Sequence, residues 1–243
     1  MTKGRLGRYA LWQFRDFATD RAIAILIIGT LMGYLAVEPI RRLMGPGWAG
    51  NPQLPLARIV ASVASSLTTL AVLIALNGMI SQDRKRGYYR FLFAKPVSPL
   101  LYYAQLFLVH LAGVLAAMAV LTGVFSFFVA PFSVKNILMY TLVVYFAMGG
   151  IGFFISAATR FDWVTLAAVW VGSRVLRGLF GDEQGIRGQL VKLLPPVHKV
   201  DDVAASLLSD GTAPMGDLAW LVGYGALFFV LGLVVLRQRS LAS

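Results

Sequence analysis

Six segments of the chain, at about residues 22–40, 57–80, 100–129, 134–158, 161–180 and 217–236, are long or apolar enough to cross a bilayer. A helix needs about 20 mostly apolar residues to span the ~30 Å hydrocarbon layer, and irregular backbone cannot face lipid there without leaving amides unpaired. With 58% hydrophobic and 14% charged residues and a mean hydropathy of +0.73, this much apolar surface cannot be hidden inside one soluble core. The sequence therefore predicts an all-α polytopic membrane protein, a single domain over residues 1–243 with six transmembrane helices.

An even number of spans puts both termini on one side, and loop cations choose the side. With the N-terminus inside, thirteen of the 22 Lys and Arg residues lie inside, Lys3, Arg84, Lys85, Arg86 and Arg237 among them. Arg41 and Arg42 in a short outer loop oppose that orientation. The expected topology has both termini cytoplasmic. The opening "MTKGRLGRYALWQFRDF" lacks the apolar run and small-residue site of a cleavable signal peptide. Absence of cysteine excludes disulfides and thiolate metal sites. In so apolar a chain the net charge of +11 is expected to flank spans and meet lipid headgroups, not nucleic acid.

Residues 5–20 of the N-terminal segment 1–21 have helical periodicity, with Leu6, Ala10, Phe14 and Phe17 on one face and Arg8 and Arg15 opposite. They predict an interfacial helix on the cytoplasmic side, with its cations toward lipid. The connection 181–216 behaves differently from the Gly- and Pro-rich first loop. After Pro195 and Pro196, the positions Val197, Val200, Val203, Ala204, Leu207 and Leu208 recur at helical intervals, with Gly211 as a stop. A short amphipathic helix in the outer loop is expected before the last span.

The most charged run, "SQDRKRGYYRFLFAKPVSP" at 81–99, falls between the second and third spans. Gly87 interrupts the charge, an apolar helical face resumes with Tyr88, Phe91 and Leu92, and Pro96 stops it. A short amphipathic helix ended by proline offers a face to a cytosolic partner. The order of Asp83, Arg84, Gly87, Leu92, Phe93, Pro96, Val97 and Ser98 resembles the segment between spans two and three of ABC-2 type transporter permeases. "GGIGFFISAATRFDW" at 149–163 and "LLPPVHKVDDVAASLL" at 193–208 are similar to further landmarks of that family. Tyr88 and Tyr89 replace small or hydroxyl residues usual there, and Gln105 replaces a frequent Lys.

The resemblance implies a coupling helix at 81–99 that docks in a cytosolic ABC ATPase subunit through Asp83, Arg84, Arg86, Gly87, Tyr88, Phe91, Leu92 and Pro96. It implies an exporter built from two permease chains, identical or similar, and two copies of the ATPase, in a bacterial-type cell inner membrane. ATP and Mg would be bound by the ATPase: this sequence contains no phosphate loop of the form GxxxxGK[ST] and is expected to hold no cofactor. ATP-driven closure would switch the path between inward and outward access, through contacts whose free energy differs between nucleotide states.

Other candidates are weighed against plainer readings. Arg174 and Arg177 either line an exit path and meet an anionic substrate group, or snorkel to headgroups and pair with Asp182 and Glu183. Asn77, with Ser62, Ser65, Ser66, Thr68 and Thr69 before it, makes a polar stripe that serves interhelical hydrogen bonding or a substrate path. Gly29 and Gly33 form a GxxxG pair suited to a dimer contact or to packing within the chain. His110 and His198 have no second ligand at metal spacing. No paired titratable groups suggest a membrane-embedded enzyme. The rival to a permease is a related scaffold that transmits ATPase-driven change to another protein without moving a solute.

Overall fold

The computed structural model of the chain describes residues 3–44, 56–81, 83, 87, 98–128, 133–159, 163–181, 185–186 and 194–238, and these are all helix, turn or short connection, without strand. In chain order they form α1 (Lys3–Phe17), a π turn (Ala18–Ala22), α2 (Ile23–Met44), α3 (Leu56–Leu76) and α4 (Pro99–Phe128). There follow α5 (Val134–Ala158), α6 (Trp163–Phe180), α7 (Val197–Ala205), a second π turn (Ser206–Asp210) and α8 (Met215–Gln238). Among the described residues four helices are long and apolar enough to cross a membrane: Gly7–Glu38, Pro99–Phe128, Val134–Ala158 and Met215–Gln238.

Local chemistry sets the helix ends. Pro99 opens α4 where its missing N–H costs nothing. Ser133 caps α5, its hydroxyl accepting from the Asn136 N–H at 3.4 Å. Gly211, at φ 74°, takes the left-handed conformation that ends the second π turn.

α5 is the centre of the bundle. In its apolar window 72% of residues are buried, against 22% in α8 and 17% in Gly7–Glu38, so those helices turn most of their surface outward. α8 packs on α5 at backbone distance. A Cβ added to Gly150 would overlap the carbonyl of Gly225, and one added to Gly225 would overlap that of Phe146. Small residues are what let two backbones come this close. Beside this contact Phe107 stacks on Phe229 at 4.5 Å between centroids, and Phe229 on Phe153 at 4.8 Å.

The helical backbone continues from α1 through the π turn into α2, and over residues 7–17 of α1 the buried positions are Gln13 and Phe17, while Phe14 is exposed. Residues 13 and 17 are one helical turn apart; position 14 lies about 100° round the wheel. At 1.5 Å per residue the 32 residues Gly7–Glu38 extend about 48 Å, longer than the ~30 Å hydrocarbon layer, so part of this helix must tilt or project.

α7 buries Val197, Val200, Val203 and Ala204, and Leu207 follows in the π turn. Gly29 and Gly33 of α2 face α4 of the same chain: a Cβ on Gly29 would lie 2.7 Å from Leu121 Cδ1, and one on Gly33 would run into Phe125. Within the chain, that GxxxG pair is a packing contact.

Candidate functional site

Two polar centres sit at opposite ends of the bundle, joined by α3. The first is where α3 ends and the charged stretch begins. Arg21, in the π turn, donates from Nη1 to the carbonyl of Ala75 at 2.7 Å and to Nε2 of His110 at 2.9 Å. Ala75 belongs to the last turn of α3, whose carbonyls lack intrahelical partners and carry the negative end of the dipole. Arg21 therefore caps α3 with both a hydrogen bond and a charge. Because a guanidinium only donates, the His110 nitrogen it meets is an acceptor. Phe17 packs on the same ring at 5.3 Å, and Gly113 leaves room for Phe17 to do so.

Asp16, Asp20 and Asp83 all bring negative charge toward Arg21. Asp83 also accepts a hydrogen bond at 3.3 Å from the hydroxyl of Tyr103, a fully buried residue in the second turn of α4. The first acid of the charged stretch is thus tied to a bundle helix. Gly87 has φ +69°, a backbone state that disfavours any side chain. Arg84, Arg86, Tyr88, Phe91, Leu92 and Pro96 lie outside the described residues. Asn77 is exposed in the turn after α3, its N–H bonded to the Ile74 carbonyl at 3.3 Å, and Gly78 follows at φ 72°.

The second centre is a half-open cleft of ≈ 700 Å³ between the first half of α3, the end of α6 and α7. Ser62, Ser65 and Ser66 line one wall; Asp201, Asp202 and Ser206 line the other, with Arg174 between. The serines recur at helical spacing, which brings them to one side of α3. Ser65 shares a hydrogen bond of 2.8 Å with the Tyr140 hydroxyl of α5, and Ser66 donates to the Ser62 carbonyl at 2.9 Å. Arg174 is ion-paired with Asp201 through Nη2. Lys199 is paired with Asp217 in the first turn of α8, where a carboxylate also complements the helix dipole. α7 is therefore pinned to α6 on one side and α8 on the other.

Asn77, fifteen residues on from Ser62, lies about 22 Å away at helical rise, just past the opposite end of α3. Among the described residues Arg174 pairs with Asp201; Asp182 and Glu183 lie outside them. Arg177 is half-buried and acts on His198, whose imidazole is held below its ordinary range by burial first and by the Arg177 cation second. The sequence alone does not mark Arg21, Tyr103, Asp201 or Asp217 as site residues. Only Arg21 carried a signal, as a cation at the edge of an apolar stretch.

Among the described residues no group of three or more His, Cys, Asp or Glu could hold a metal ion. The fold and its long apolar helices define a helical, multi-pass membrane protein. Compared with known proteins, the chain matches no family model and no curated protein.

Proposed function

We propose that the chain is the membrane-spanning permease subunit of an ATP-driven ABC-2 type exporter. In this reading α3 and α6 join the four long apolar helices to make six spans, both termini are cytoplasmic, and residues 81–99 form the coupling helix docked on a separate ATPase. The second permease chain, identical or similar, completes the path in a bacterial-type inner membrane. The observation that carries the reading is the residue order Asp83, Arg84, Gly87, Leu92, Phe93, Pro96, Val97, Ser98, placed between two helices of an all-helical bundle. The hydrogen bond from Tyr103 to Asp83 supports it, because a push on the stretch would reach α4 directly.

The test is copurification and coupled turnover. The full chain, extracted with its membrane partners, is expected to bring down an ABC ATPase whose ATP hydrolysis responds to substrate. Reversing Asp83 and Arg84, or changing Gly87→Pro, should lower export by about tenfold while the ATPase still turns over, a loss within the usual range of coupling energies. Export at the parental rate in those variants would count against the coupling role. Copurification of partners without any ATPase would leave the scaffold reading in its place.

A further inference from the structure

The cleft between α3, α6 and α7 has a chemistry that narrows its ligand. Among the described residues its lining contains one cation, Arg174, and two carboxylates, Asp201 and Asp202, so an anion drawn to Arg174 meets a net negative wall. The charge of Arg174 is already answered by Asp201. An anionic group is therefore poorly served here, contrary to what the arginine alone suggests. What the cleft offers instead is an assortment of donors and acceptors. Arg174 has five N–H donors, of which the ion pair uses part; Asp202 forms no ion pair among the described residues; Ser66 and Ser206 give their hydroxyl protons to the carbonyls of Ser62 and Asp202 but keep lone pairs that accept, and Ser62 adds a further hydroxyl.

We propose that this cleft binds an uncharged polyhydroxylated ligand, a sugar or polyol group. Neighbouring hydroxyls of such a ligand each give one hydrogen bond and take others. A guanidinium beside carboxylates presents donors next to acceptors, which matches that alternation. Ser62 and Ser66 are exposed on one wall, and Asp202 is exposed on the facing one. The Arg174–Asp201 pair does not resist such a ligand: its side chains are 54% and 46% exposed, so it contributes little and can share its donors and lone pairs. A volume of ≈ 700 Å³ falls in the range of small-molecule sites, roughly 300–1,000 Å³, and is large enough for more than one sugar ring. Binding itself is a property of this chain; naming the ligand as the cargo rests on the exporter reading.

The full chain in phosphatidylcholine nanodiscs would be presented to an array of neutral glycans, with spermidine and citrate as cationic and anionic probes. At least one glycan is expected to be retained, and both Ser62→Ala/Ser66→Ala and Asp202→Asn should weaken it by about tenfold, the effect of losing one or two hydrogen bonds. A second set of discs containing uncharged galactosyl diacylglycerol separates a lipid headgroup from a free glycan: competition between disc lipid and array assigns the lipid source. Retention of no glycan in either disc, unchanged retention by the variants, or binding of spermidine alone through Asp202 would overturn the proposal. Because the ATPase is absent, glycan binding can succeed while ATPase copurification fails, or the reverse, and the two readings fail separately.

Discussion

Changing Gly150→Ala tests the closest contact in the fold. The added methyl would overlap the Gly225 carbonyl oxygen, and would stand 2.6 Å from its carbon and 2.8 Å from its Cα, where ordinary contact is 3.4–4 Å. These are backbone atoms of α8, so no side-chain rotation relieves them; the helix must retreat by about 1 Å. A gap of that size forfeits about a quarter to a half of each dispersion contact along the interface, and the Phe153–Phe229 stacking lies on it. Overpacking of this kind costs roughly 1–3 kcal/mol, opposed by about 0.5–1 kcal/mol from replacing glycine inside a helix. A net loss of about 1 kcal/mol is expected. Gly223→Ala on the same α8 is the control, since nothing lies within 4 Å of its added carbon; it should be neutral or slightly stabilising. Gly150→Ala with Gly225→Ala should cost less than the two single losses together, because one separation of the helices serves both. The assay is equilibrium unfolding in mixed micelles with increasing dodecyl sulfate, followed by circular dichroism. Gly150→Ala as stable as Gly223→Ala would refute a backbone contact at this crossing.

Two further outcomes can be checked on the same preparation. Arg21→Ala removes the donor to the Ala75 carbonyl and leaves the His110 ring without that partner, and should cost about 2 kcal/mol; adding His110→Leu should restore part of it, whereas a further loss would contradict the pairing. His198 has its folded-state pKa depressed by burial and by Arg177, so stability is complete above its ordinary pKa of about 6.5 and falls as pH drops below that value. The thermal midpoint should decline between about pH 7 and pH 5, and His198→Gln should flatten that decline. An unchanged slope in the variant would place the sensitivity elsewhere.

Where local periodicity decides a contact, the sequence is readable. Val197, Val200, Val203, Ala204 and Leu207 face inward because an amphipathic stripe has only one way to lie on an apolar bundle, and Gly211 stops the turn because it alone there tolerates φ 74°. The glycines of "GGIG" likewise point to close packing, though not to Gly225 as the partner. Pairings across long separations were not readable. Arg21 and His110 are 89 residues apart, and Arg174 and Asp201 are 27 apart with other acids closer along the chain. Helical spacing in α1 groups Phe14 with Phe17, but periodicity defines a face only up to a rotation, and contact with His110 of α4 is what buries Phe17 while Phe14 stays exposed. The π turn at Ala18–Ala22 has no signature in the residues that form it, yet Arg21 reaches α3 from that turn.

α3 gives the two polar centres a physical connection. From Ser62 to Ala75 it rises about 20 Å without a break, so its ends move as one body. Its first half is held to α5 by the Ser65–Tyr140 hydrogen bond and its last turn to α4, through Arg21 and His110. A rotation of α3 large enough to change the cleft must therefore break or exchange the Arg21 bond at the far end. On the exporter reading, a push on residues 81–99 enters beside that bond, since Asp83 lies within reach of the Arg21 charge. Transmission between sites needs an element with two arrangements that both sites bias. α3 meets the geometric part of that requirement, because it has a polar contact to a neighbouring helix near each end, where the loop and the ligand would act.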